Sequence, residues 1–147
     1  LGFGYHYWKT LDDIDLSDLD EVDDNGSAGV ISYQYVPGGM ARFEFDLEYY
    51  KDGFAGSTDT AYSPQAFILF GRVLYVGFGL GATKSDNLPS GDDWSDIWYA
   101  GRIGVDFLLL PRIYLDINAN YRGNTFELPQ DVESDTMTLG AALRFEF

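Results

Sequence analysis

Three groups of residues carry side chains capable of chemistry. The chain has one histidine, His6, which a general base or nucleophile-activating role would have to use together with a Ser or Asp. Segment 11–27 holds eight carboxylates, Asp12, Asp13, Asp15, Asp18, Asp20, Glu21, Asp23 and Asp24, the oxygen ligands that hard divalent cations take. A third group of charges falls in apolar segments: six of the 24 acids, Glu44, Asp46, Glu48, Asp106, Asp116 and Glu146, and five arginines, Arg42, Arg102, Arg112, Arg122 and Arg144. Six against five is close to neutral, as an enclosed set of ions must be, because an unpaired buried charge costs several kcal/mol. An ion-pair network of Arg42, Glu44, Glu48, Arg102, Asp106, Asp116, Arg144 and Glu146 is expected.

The elements that position these charges are strands. Residues 41–50 read ARFEFDLEYY, with Ala41, Phe43, Phe45, Leu47 and Tyr49 on one parity and Arg42, Glu44, Asp46 and Glu48 on the other. The same period of two recurs at 1–10, 28–36, 40–50, 64–70, 74–82, 97–107, 112–122 and 135–147, giving eight strands. At 64–70 Phe67 and Leu69 oppose Ala66, Ile68 and Phe70, so either register is open there. Long polar connections at 11–27, 51–63, 83–96 and 123–134 alternate strictly with short turns at 37–39, 71–73 and 108–111. An up-and-down meander has this order, and closing it into a barrel buries both edges. With no shift in composition along 1–147, one domain is expected.

The face that meets the surroundings follows from the minor parity. On 74–82 it reads Tyr75, Gly77, Gly79 and Gly81, a poor solvent face but a good inner wall, where small residues leave room for Arg42, Arg102, Trp98 and Tyr114. Lysine, the usual surface cation, appears only at the loop margins, as Lys9, Lys51 and Lys84. The apolar parity is therefore expected to face lipid and the ionic parity to fill the lumen. Aromatic residues, 17% of the chain, then form two interfacial rings: Tyr7, Tyr49, Tyr62 and Tyr99 on the loop side, and Tyr33, Tyr35, Phe43, Phe107, Phe145 and Phe147 on the turn side. No apolar run approaches the roughly 20 residues of a membrane helix. A net charge of -15 argues against nucleic acid, and the absence of cysteine removes disulfides and thiolate sites.

The closing stretch LGAALRFEF places Leu139, Ala141, Leu143, Phe145 and Phe147 at every second position. In this, and in its eight strands with alternating long and short connections, the chain resembles the OmpA/OmpX-like eight-stranded outer-membrane β-barrels of Gram-negative bacteria. That resemblance implies an all-β transmembrane barrel in the outer membrane, its signal peptide already removed. It places the termini and short turns in the periplasm and the long loops at the cell surface. It also implies that Phe147, Phe145 and Leu143 are read by the outer-membrane assembly machinery.

These readings give a non-enzymatic scaffold or anchor that displays acidic loops and contacts outer-membrane lipids and lipopolysaccharide. Phe54, Tyr62, Trp94 and Phe126 are candidate loop contacts for a protein partner. No cofactor or metal is expected. Glu21 to Gly26 imitates the opening of a calcium loop, but the closing position is Ser32, inside a strand. His6 has lumen parity beside Trp8, and no motif surrounds Ser17, Ser27 or Ser63, which sets aside a lipid A-modifying enzyme. The other reading is a narrow channel, or a lateral-gap transporter opening near Pro64 and the glycine row.

Overall fold

The computed structural model describes residues 1–10, 25–51, 60–85, 94–123 and 136–147. They form β1 (Gly2–Thr10), β2 (Asn25–Tyr35), β3 (Ala41–Tyr50), β4 (Ala61–Gly71), β5 (Leu74–Gly81), β6 (Trp98–Leu110), β7 (Ile113–Gly123) and β8 (Thr136–Phe145). A two-residue continuation of β5, Lys84–Ser85, pairs with Tyr62 and Ala61. Each strand is antiparallel to its neighbours in sequence, and β1 pairs with β8 from Gly2↔Arg144 to Thr10↔Thr136. The ring is closed, and no described strand keeps a free edge.

Side chains alternate as a lipid-facing barrel requires. Phe43, Phe45, Leu47 and Tyr49 of β3 are exposed, whereas Arg42, Glu44, Asp46 and Glu48 are buried. Ile103, at mid-strand in β6, is 53% exposed and its neighbour Arg102 is 4% exposed. A wall of large apolar side chains around the whole circumference, enclosing ions, reverses the arrangement of a soluble barrel. Tyr7, Tyr49 and Tyr62 stand exposed toward the loop-bearing end, the rings of Tyr49 and Tyr62 lying 5.3 Å apart, and Tyr99 is half-buried there. Tyr33, Tyr35, Phe43, Phe107, Phe145 and Phe147 are exposed at the other end.

The structure settles the register of β4. Ser63, Gln65, Phe67 and Leu69 point inward, and Tyr62, Ile68 and Phe70 outward. Two bulky apolar residues fit in the lumen because they stand across the ladder from glycines, in the pairs Phe67↔Gly79 and Leu69↔Gly77. A Cβ on Gly77 would collide with Leu69 Cδ2, one on Gly79 with Phe67 Cδ1, and one on Gly81 with the Trp98 ring. The glycine row thus makes room for Phe67, Leu69 and Trp98, whereas Tyr114 is only half-buried and leaves the lumen to bond Glu146. A Cβ on Gly79 would also come within 2.6 Å of the Ala66 carbonyl oxygen, which cannot move away. Gly79→Val is therefore expected to cost about 1–3 kcal/mol of stability from overpacking, measured by urea unfolding of the reconstituted barrel.

Several boundaries differ from the sequence pattern. β2 begins at Asn25 and β4 at Ala61, three residues earlier in each case, because backbone pairing with β1 and β3 continues to Lys9↔Asn25 and Tyr50↔Ala61. β6 runs on to Leu110, through most of the 108–111 turn expected from composition. The reversal itself is Pro111-Arg112, between the paired Leu110 and Ile113. Pro111 supplies the fixed φ of a first central turn residue, and Arg112 takes the left-handed second position, at φ 68°.

Candidate functional site: the ionic lumen

β3 contributes three acids in a row to the inner wall, Glu44, Asp46 and Glu48, with Arg42 at the turn-side end. In a ring of eight strands the elements opposite β3 are β6, β7 and β8, so cations on those strands reach its acids only with side chains long enough to cross the lumen. Arginine is long enough, and its planar fork can serve two carboxylates at once.

Arg102 of β6 reaches Glu44 Oε1 through Nη1 and Asp46 Oδ2 through Nη2, the latter at 2.8 Å. Its Nε donates to Asn120 Oδ1, and its guanidinium lies 3.8 Å from the Phe67 ring centroid. Arg144 of β8 joins three acids: Glu44 Oε2 at 2.9 Å, Asp106 Oδ1 at 2.9 Å and Asp116 Oδ2 at 3.2 Å. Arg42 meets the other oxygen of Asp106 at 2.5 Å and lies over the Tyr75 ring. The second oxygen pair of this cluster is filled as well, since Tyr75 Oη donates to Asp116 Oδ2 at 2.6 Å and Asn118 Nδ2 to Asp116 Oδ1 at 2.5 Å.

A second cluster sits nearer the loops. Arg122 Nη2 of β7 and His6 Nδ1 of β1 both lie 2.5 Å from Glu48 Oε1. Tyr50 Oη donates to Glu48 Oε2 and accepts from Arg122 Nη1 at 2.9 Å. His6 fits because Gly140 stands beside it on β8: a Cβ there would lie 2.5 Å from His6 Nε2. Among the described residues five carboxylates, four guanidiniums and the His6 imidazole are buried in this lumen.

Of the eight residues expected in the network, seven meet there: Arg42, Glu44, Glu48, Arg102, Asp106, Asp116 and Arg144. Glu146 does not. It lies beyond the end of β8, exposed, and accepts from Tyr114 Oη at 3.1 Å. Arg112, counted with the inward charges by parity, is exposed in its turn. Both follow the alternation past the point where the lumen ends. Asp46, Arg122, His6 and Tyr50 belong to the arrangement although the eight-residue set lacks them. The signal for Asp46 and Arg122 was present in their parity.

Replacing Arg144 by lysine keeps the charge but substitutes one ammonium for a fork that serves three carboxylates. The expected cost is about 1–3 kcal/mol of stability, since at least one buried oxygen loses its donor. Equilibrium urea unfolding in phospholipid vesicles measures it.

The other candidates are placed as follows. Tyr62 is part of β4, not a loop tip, and points outward with its ring tilted against that of Tyr49, because strand pairing continues to Ala61. Trp94 is exposed, bridges to Lys84, and has the Lys84 ammonium 6.0 Å from its ring centroid. Phe54, Phe126, Ser17 and the acidic cluster 12–24 lie outside the described residues. Ser63 is buried and bonded to Thr83 at 2.7 Å, and Ser27 is exposed on β2. Phe145 and Leu143 are exposed on the outer wall of β8, with Phe147 just beyond it. The seam flanking Pro64 is paired without a break from Gln65↔Gly81 to Gly71↔Tyr75.

The closed, inverted architecture can be matched to solved structures. Neisserial surface protein A (NspA) superposes over 99% of this chain and 94% of its own, with a TM-score of 0.66 and 19% identity. The fold is that of the small outer-membrane β-barrels. Ail, the attachment invasion locus protein of Yersinia pestis, covers 99% of this chain and 95% of its own, with a TM-score of 0.56 and 16% identity. The N-terminal β-barrel domain of Pseudomonas aeruginosa OprF covers 98% and 97%, with a TM-score of 0.53 and 14% identity. No protein-family model matches the chain, and no curated protein sequence does.

Proposed function

We propose that this chain is a non-enzymatic barrel of a bacterial outer membrane. In this reading it is an embedded scaffold or anchor that displays acidic loops to partners in the envelope or outside the cell. The observation that carries the reading is the lumen. Arg102, Arg144 and Arg122 tie β6, β8 and β7 to the acids of β3 across the middle of the barrel, so side chains occupy the space a solute would need. A network whose partners lie on opposite strands forms only when the ring closes in register, and its proposed role is folding specificity, not conduction.

Recognition then falls to the long connections 11–27, 51–63, 83–96 and 123–134, where most of the acids lie. Two of the similar proteins bear names that speak of the surface and of attachment, which agrees with loops as the working part. Lipopolysaccharide, bridged to the acidic loops by divalent cations, and a protein partner gripped by Phe54, Trp94 or Phe126 are the contacts proposed. Phe147, Phe145 and Leu143 are proposed to be read by the assembly machinery. His6 is held by Glu48 inside the lumen, its hydrogen bond going to that carboxylate and not to a hydroxyl that catalysis would activate.

The test has two arms. Reconstituted in planar bilayers, the protein is expected to give no solute-sized conductance steps. In cells, replacing one long loop at a time by a short Gly-Ser linker is expected to abolish surface binding while the barrel still assembles. Stable open steps in the unmodified protein would favour the channel reading over this one.

A further inference from the structure

The apolar surface does not stop where the lumen does. At the end that bears the short turns, Met40, Val73, Leu74, Leu108, Leu109 and Leu110 are each more than half exposed. Leu108 shares the parity of Arg102 and Asp106, which point into the lumen, and a bulge after it brings Leu110 opposite Ile113 on the outer face, so here both faces of the strand are apolar and uncovered. A tip standing in water would be expected to carry polar residues on at least one face, and a contiguous apolar surface marks a binding region.

The height of the outer wall says what covers it. From Tyr99 to Phe107 is eight residues of β6, about 20 Å along the barrel axis at ~3.3 Å per residue and ~40° of tilt. That is short of the roughly 25 Å apolar band of such barrels, and two more residues, to Leu109, make up the difference. On β4 the run from Tyr62 to Phe70 is also about 20 Å, and there Val73 and Leu74 supply the remainder. With the loop-side tyrosines at headgroup depth, the far edge of the hydrocarbon falls at the turns themselves. Arg72 and Arg112, exposed in those turns, add positive charge where phosphates would lie.

We propose that the turn end is a lipid-docking surface, sunk in the phospholipid leaflet on its side, with Leu108 to Leu110 among acyl chains and Arg72 and Arg112 at the phosphates. The inference rests on the lipid-facing reading of the outer wall, with which the surface is continuous. A second copy of the chain or an apolar protein would have to compete with a leaflet that the wall already occupies.

Because the chain has no cysteine, single labels report cleanly. Leu109→Cys, Val73→Cys, Ile103→Cys and Lys51→Cys, each carrying an environment-sensitive fluorophore, are reconstituted in phosphatidylcholine vesicles containing phosphatidylglycerol. Quenching is read with aqueous iodide and with phospholipids bearing nitroxides on their acyl chains. Labels at 109 and 73 are expected to be quenched by the lipid nitroxides at least about half as strongly as the label at 103, and by iodide about fivefold less than the label at 51. Iodide quenching equal to that at 51 would overturn the proposal, placing the turns in water. Protection from both quenchers would also overturn it, in favour of a protein contact. If iodide reached the label at 103 as well, the lipid-facing wall itself would be refuted.

Discussion

Replacing Glu48 by leucine is expected to lower the unfolding free energy of the reconstituted barrel by about 3–5 kcal/mol, the range for breaking a buried ion pair from one side. Glu48 is fully buried and is the meeting point of Arg122, His6 and Tyr50. Among the described residues, leucine leaves the enclosed Arg122 guanidinium the Tyr50 hydroxyl and the Trp98 face as neighbours. Glutamine keeps the volume and most of the hydrogen bonding, and its expected cost is smaller, about 1–3 kcal/mol. The pair Glu48→Leu with Arg122→Met removes both charges, so its total should fall short of the sum of the single losses by about 1–3 kcal/mol. Urea titration in vesicles, followed by tryptophan fluorescence and by heat-modifiable gel migration, gives all four numbers. Small, additive losses would mean that the cluster is solvated.

The second large effect is on the opposite face of the sheet. Ile103→Arg is expected to destabilise the barrel by about 2–4 kcal/mol, the depth-dependent cost of a charge facing lipid near the midplane. Ile103 lies between Val76 and Ala119 on the adjoining strands, with no acid beside it on the outer face. In a soluble barrel an isoleucine this exposed would tolerate arginine within about 0.5 kcal/mol. The neighbouring residue inverts the rule, since Arg102→Ile would take from Asp46 the guanidinium it pairs with and leave Glu44 to Arg144. Two adjacent positions with opposite preferences for charge are the mutational signature of an inverted barrel.

Strand parity was legible in the sequence because one face had to be uniformly apolar, and so were the eight strands and the sense of the inversion. The register of 64–70 was not legible, since Phe67 and Leu69 are apolar on the inner face. Only their pairing with Gly79 and Gly77, a contact between two strands, tells which way they point. Parity also overran its domain at the turn end. Arg112 and Glu146 keep the inward phase, but no lumen remains there to enclose them.

Within the site, inward-facing charges could be read from spacing, whereas their partners could not. That Arg144 serves three acids and that His6 bonds Glu48 depend on distances across a closed ring, which a linear pattern does not encode. Gly140 was the available clue for His6, a missing side chain on a strand that becomes adjacent only on closure.

The central claim is tested most directly by a nitroxide scan of β3, one cysteine at a time from position 43 to 48, in phospholipid vesicles. Collision with dissolved oxygen is predicted to be high at 43, 45 and 47 and low at 44, 46 and 48, with a water-soluble nickel complex excluded throughout. High nickel accessibility at 43, 45 and 47 would contradict the account, because it would put the apolar wall in water.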